Sequence, residues 1–79
     1  MKLVKITWFD HCKYSDTRWR SKEEMSSLTP LTVTTVGWII KETDDHYVLV
    51  GTKANNDYYE NEFLILKGTI KKVKVLNGR

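Results

Sequence analysis

The chain has 79 residues, a formal net charge of +3 and a single cysteine, Cys12. That length allows one domain, residues 1–79, with a core near the lower limit for folding without metal or disulfide, so self-association is a natural supplement. A lone cysteine excludes an internal disulfide, and 41% apolar with 29% charged residues excludes a disordered chain. The chain lacks an apolar run long enough for a signal-peptide core or a bilayer span, which predicts a cytoplasmic protein with no membrane partner.

"KLVKITWFD" (2–10) alternates, with Val4, Ile6 and Trp8 on one face and Lys5 and Thr7 on the other, the period of a half-buried strand. "HCKYSDTRWR" (11–20) loses that pattern and gains polar turn formers. In "SKEEMSSL" (21–28), Ser21 stands three residues before Glu24, a capping box that opens a short helix; Met25 and Leu28 are expected to pin it to the core, and Pro30 stops it. "LTVTTVGWIIKE" (31–42) is rich in β-branched residues, but its phase slips between Val33 and the set Val36, Trp38 and Ile40. A bulge or bend between Thr34 and Gly37 is expected to absorb the slip.

"TDD" (43–45) reads as a tight turn into the strand "HYVLVGTK" (46–53), where Tyr47 and Leu49 oppose Val48 and Val50. "ANNDYYEN" (54–61) reads as a loop or hairpin tip. Two more strands, "EFLILK" and "TIKKVKVL", follow on either side of Lys67-Gly68-Thr69, and "NGR" is a fraying end. Five short strands with one helical turn after the first predict a mainly β protein: a strongly bent five-stranded barrel, SH3-like or OB-like, because a flat open sheet would leave one face bare.

"GWIIKETDDHYVLV" followed by "LILKGTIKKVKVL" resembles the two-part signature of Sm and Sm-like proteins, with Gly37, Ile39, Leu49 or Val50, Lys67, Gly68 and Ile70 in the matching places. The resemblance covers residues 4–9 and 36–76, and residues 10–35 form an insertion where typical members have a short turn. The enlarged first loop also looks like that of small proteins of phage genomes. The family implies an Sm-like barrel that assembles edge to edge into a homo-oligomeric ring, the fourth strand of one subunit pairing with the fifth of the next, with RNA bound around the pore. The chain departs from the family pattern at its ligand turn: Thr43 and Tyr47 fall where members carry an aspartate and an asparagine that fix a base, and Lys67 replaces an arginine. Lysine lacks the planar fork that suits arginine to stacking and bidentate contacts.

From Lys67 to Arg79 the chain carries Lys67, Lys71, Lys72, Lys74 and Arg79 and no acid. Cationic grooves with aromatic platforms hold single-stranded nucleic acid. Candidate ligand residues are therefore Arg18, Trp19 and Arg20 in the insertion, Tyr47, Lys67 and Gly68 at the turn, and Lys71, Lys72 and Lys74 on the last strand. Trp19 serves either a ligand or the packing of the helix onto the barrel, whereas Trp8 and Trp38 lie on inward phases and are expected in the core. The same lysines, on an edge strand, also discourage uncontrolled pairing. Tyr58 and Tyr59 at the hairpin tip suit a contact surface or ordinary loop packing.

Asp10, His11, Cys12 and His46 match no paired-ligand spacing for metal, and no third group orients a cysteine nucleophile, so neither a metal, a cofactor nor catalysis is expected. The four glycines are scattered and form no phosphate loop. The expected function is non-enzymatic binding of RNA or another oligonucleotide by an oligomer. The alternatives are an oligomer that sequesters a small anionic nucleotide in pockets lined by Trp19, Tyr47 and Arg20, and a structural or host-protein-binding module.

Overall fold

The computed structural model describes residues 1–10 and 19–76. Strand β1 (Leu3–Asp10) is followed by α1 (Lys22–Ser26), β2 (Leu31–Glu42), β3 (His46–Ala54), β4 (Tyr58–Leu66) and β5 (Ile70–Leu76), with 3-10 turns at Asn55–Asp57 and Lys67–Thr69. The strands form one antiparallel sheet in the order β4-β3-β2-β1-β5. The mainly β class, the five strands, the short helix and the break at Lys67-Gly68-Thr69 all follow the sequence. No ladder joins β4 to β5, so these two strands are the edges of an open sheet.

That sheet is strongly curled. Three strand spacings separate β1 from β4, about 14 Å on a flat sheet. Yet the rings of Trp8 and Phe63 lie 5.7 Å apart, and Val4, Ile6, Leu49 and Ile65 form one buried cluster with Trp8, Ile39, Tyr47 and Ile70 packed against it. The inner faces of β1, β3 and β4 therefore meet across the curl, and this contact is the core. Strand β5 joins it only at its start, through Ile70: Val73 and Val75 pair with the fully buried Ile6 and Val4 on the same face, but Val75 remains 57% exposed.

The expected phase slip between Thr34 and Gly37 is absent, because the β1–β2 register runs unbroken from Leu3↔Trp38 to Asp10↔Leu31. Val33, Thr35, Gly37 and Ile39 alternate inward. Gly37 occupies an inward position for a steric reason: a Cβ there would lie 2.9 Å from the Val50 carbonyl oxygen. Thr35, also inward, accepts a 3.0 Å hydrogen bond from Trp8 Nε1. A missing side chain and a hydroxyl at two inward positions hide the apolar alternation and imitate a slip. The actual irregularity comes later, between Ile39 and Lys41, where β2 pairs with β3.

Three further expectations are corrected. Trp38 faces outward, half-buried, and Val36 and Ile40 on the same phase are exposed. Helix α1 has the expected capping box, Glu24 N–H donating to Ser21 Oγ at 3.1 Å and Ser21 N–H to Glu24 Oε1 at 3.3 Å, but it buries no residue. Met25 and Leu28 are exposed rather than pinned to the core, because the helix does not pack against any strand of the sheet. Strand β2 begins at Leu31 and pairs with β1 from there, so residues 31–35 belong to the sheet rather than to the insertion.

Candidate nucleic-acid interface

The cross-strand registers fix which side chains share the outer face. One row runs Lys72, Thr7, Thr34; the next Lys74, Lys5, Val36; the third Leu76, Leu3, Trp38, Val50, Glu62. Lys5 and Lys74 are direct cross-strand partners, and Lys72 lies two residues along β5 from Lys74. Like charges placed opposite one another are destabilising. None of Lys5, Lys72 and Lys74 has a carboxylate of the described residues within ion-pair distance.

Beside these lysines, Lys53 Nζ sits 4.4 Å from the centroid of the Trp38 ring. The result is a cationic area over β5 and β1 that ends in an aromatic side chain on β2. Along β4 the same face turns acidic, at Glu60 and Glu62. Lys71 occupies the irregularity between Thr7 and Trp8 in the β1–β5 ladder and reaches 5.8 Å from the Phe9 ring centroid. A bulge there bends the end of the edge strand away from pairing.

The residues that the Sm resemblance picks out meet at the other turn. Lys67 Nζ donates to Glu42 Oε2 at 2.7 Å and lies 4.9 Å from the Tyr47 ring centroid. Its backbone N–H donates to the Asp45 carbonyl at 2.7 Å, which fastens the β2–β3 turn to the β4–β5 turn. Within the first turn, Thr43 Oγ1 donates to Asp45 Oδ1 at 2.8 Å and lies 2.9 Å from His46 Nδ1, which also contacts Asp45 Oδ1. The hydrogen bond from Thr43, then that from His46, holds the Asp45 carboxyl below its ordinary value of 3.8; the Glu42 hydrogen bond holds the Lys67 ammonium above 10.5.

Thr43, Tyr47 and Lys67 are thus brought together, with the cation already engaged by its own carboxylate. Gly68 is not required by the backbone: among the described residues no glycine has a positive φ, and a Cβ at Gly68 would meet nothing within 4 Å.

Of the other sequence candidates, Arg18 lies outside the described residues, as do His11, Cys12, Tyr14 and the 77–79 end. Trp19 is 98% exposed, so it forms no pocket with Tyr47; Arg20 is partly buried. Tyr58 is exposed at the hairpin tip and Tyr59 is partly covered. Among the described residues no group of three His, Cys, Asp or Glu side chains could hold a metal, and no helix is long and apolar enough to cross a membrane.

The residues of this surface that the sequence candidates omitted are Lys5, Trp38 and Lys53, the last through the reach of its ammonium to the Trp38 ring. Had Gly37 been counted as an inward position, strict alternation would have turned Trp38 outward. Compared with known proteins, the chain matches no family model, no curated protein and no solved structure.

Proposed function

We propose that this chain is a non-enzymatic, self-assembling Sm-like module that binds RNA or another oligonucleotide on the outer face of its sheet. The observation that carries this reading is the cluster of Lys5, Lys72 and Lys74 over two adjacent cross-strand rows, unpaired with any described carboxylate and bordered in the next row by Trp38. Three neighbouring ammonium groups repel one another, and a phosphate backbone relieves that repulsion while Trp38 and Lys53 offer a stacking and charged surface for a base.

Assembly enters through the two open edges. The exposed Leu64 and Leu66 of β4 and Val73 and Val75 of β5 are apolar steps on strands that lack a second neighbour. Pairing β4 of one copy with β5 of the next would continue the curl toward the closed barrel and ring of Sm-like proteins. It also sets Glu60 and Glu62 of one copy beside Lys72 and Lys74 of the other on the same outer face. In an assembled form those two lysines are shared between neighbour and ligand, and Lys5 and Lys53 are the cations that remain for the ligand.

Fluorescence titration with short oligonucleotides tests this. Affinity is expected to fall steeply between low and moderate salt, because each phosphate contact releases a counterion. Lys5→Gln combined with Lys53→Gln should weaken binding and flatten the salt dependence by about two contacts. Absence of binding at low salt would reject the proposal.

A further inference from the structure

We propose that the outer face selects single-stranded nucleic acid by an exchange at Trp38: an unpaired base displaces the Lys53 ammonium from the indole face, and the freed ammonium pairs with the phosphate of that nucleotide. The inference rests on oligonucleotide binding at this face. It adds which form of nucleic acid binds there and which residues select it.

Trp38 is placed before any ligand arrives. Its cross-strand partner Val50 belongs to the outer phase and yet is only 3% exposed, while Trp38 itself is half-buried. Partners across an antiparallel pair hold their Cβ atoms about 4.5–5.5 Å apart, so the indole packs beside Val50 instead of standing free in solvent. Over its ring sits Lys53 Nζ, 4.4 Å from the centroid.

Little else holds that ammonium. Lys67 over the Tyr47 ring makes the contrast, because it is also tied to Glu42 at 2.7 Å, whereas no described carboxylate lies within ion-pair distance of Lys53. Lys53 is exposed and comes from the part of β3 beyond Val50, which pairs with β4 alone. A cation over an exposed ring shifts an equilibrium about 2- to 5-fold. A base stacked on an aromatic side chain contributes about 5- to 150-fold, so the base takes the face.

The distances suit one nucleotide. Trp38 lies one strand over and two residues along from Lys5, roughly 8 Å by sheet spacings. A base on the indole therefore leaves its phosphate between Lys5 and the released Lys53. A duplex meets only half of this site: its phosphates reach the lysines, but its bases are paired and stacked inside, whereas single-stranded bases can be splayed onto an aromatic ring.

Fluorescence anisotropy with a labelled short single strand, and with the same sequence closed into a hairpin duplex, tests the exchange in Trp38→Leu and Lys53→Met. Leucine keeps an apolar side chain beside Val50 without a ring face, and methionine keeps a flexible stem without the charge. Trp38→Leu is expected to weaken single-strand binding by about 10-fold and to leave duplex binding and the salt slope unchanged. Lys53→Met should act in opposite directions on two ligands. It weakens single-strand binding and lowers the salt slope by about one contact, yet it strengthens binding of uncharged adenosine, followed by the Trp38 indole N–H resonance, by about 2- to 5-fold because no cation competes for the ring. Should Trp38→Leu fail to fold, Lys53→Met at its exposed position still decides.

No binding of either nucleic acid at low salt would reject the functional reading and the exchange together. Binding that Lys5→Gln weakens, but that Trp38→Leu leaves unchanged for the single strand, would overturn the exchange and keep the cationic surface. Adenosine that binds Lys53→Met no better than the wild type would overturn the displacement of Lys53.

Discussion

Gly37 and Gly68 both sit in the part of the chain that resembles the Sm signature, yet they answer to different physics. At Gly37 a Cβ would stand 2.9 Å from a backbone oxygen and 3.3 Å from the Leu49 Cβ, so any larger residue forces β2 and β3 apart. Gly37→Val should destabilise the fold by roughly 1–3 kcal/mol, read as a clear drop in melting temperature. At Gly68 the added methyl meets nothing and the backbone needs no left-handed conformation. Gly68→Ala should raise stability by about 0.4–1 kcal/mol, through a less flexible unfolded chain. Opposite signs in one thermal melt would separate a steric glycine from a dispensable one.

Asp45 and Lys67 belong to the same scale. The Asp45 carboxyl is held below 3.8 by Thr43 and His46, so its ionised form stabilises the folded state above that value, and this contribution disappears as pH falls through the lowered value. Acid unfolding of Asp45→Asn should lack this component, with the two proteins converging at the acid end of the titration. Lys67 runs the other way. Its ammonium is held above 10.5 by Glu42, so its contribution is full below that pH and is lost as pH rises through the raised value.

At the scale of the element, α1 shows that local signals are enough to form a helix and not enough to place one. Ser21 and Glu24 cap it reciprocally, and Ser26 Oγ donates to the Lys22 carbonyl at 2.8 Å, but five residues with no buried side chain contribute nothing to the core. Ser21→Ala should therefore lower amide protection within residues 22–26 in hydrogen exchange, a local loss of about 1 kcal/mol. The global melting temperature should stay where it is. A matching fall in melting temperature would mean that the helix is packed after all.

Strand β5 makes the complementary point. Lys72 and Lys74 alternate with Val73 and Val75, and the irregularity at Lys71 keeps Ile70 on the same apolar phase, but that phase stays half-uncovered because β5 is an edge.

For the whole molecule, the decisive feature is a sheet that curls until β1 meets β4 and yet stays open between β4 and β5. The two edges carry opposite charge on the outer face, Glu60 and Glu62 against Lys72 and Lys74. Reversing Glu60 and Glu62 to lysine should weaken association by placing like charges across the junction. Adding the reversal of Lys72 and Lys74 to glutamate should restore it, each cross-strand pair counting for roughly 0.2–1 kcal/mol. Sedimentation at low salt reads the difference, and high salt should erase it.

By itself the sequence determined five strands, a capped helical turn and the break at Lys67-Gly68-Thr69, because these follow from side-chain alternation, capping chemistry and turn formers, all local in the chain. The direction of Trp38 was not legible: the inward positions beside it hold Thr35 and Gly37, one polar and one without a side chain, and only the pairing with Val4 and Ile6 reveals them as inward. The lysine row was legible as charge and illegible as a site, since Lys5 lies far from Lys72 and Lys74 in the chain and joins them through β1–β5 pairing. Tertiary structure alone decided that Met25 and Leu28 stay outside, that the core lies between β1, β3 and β4, and that two edges remain open. Each depends on how far the sheet curls, which is set by contacts between distant strands rather than by neighbours in sequence.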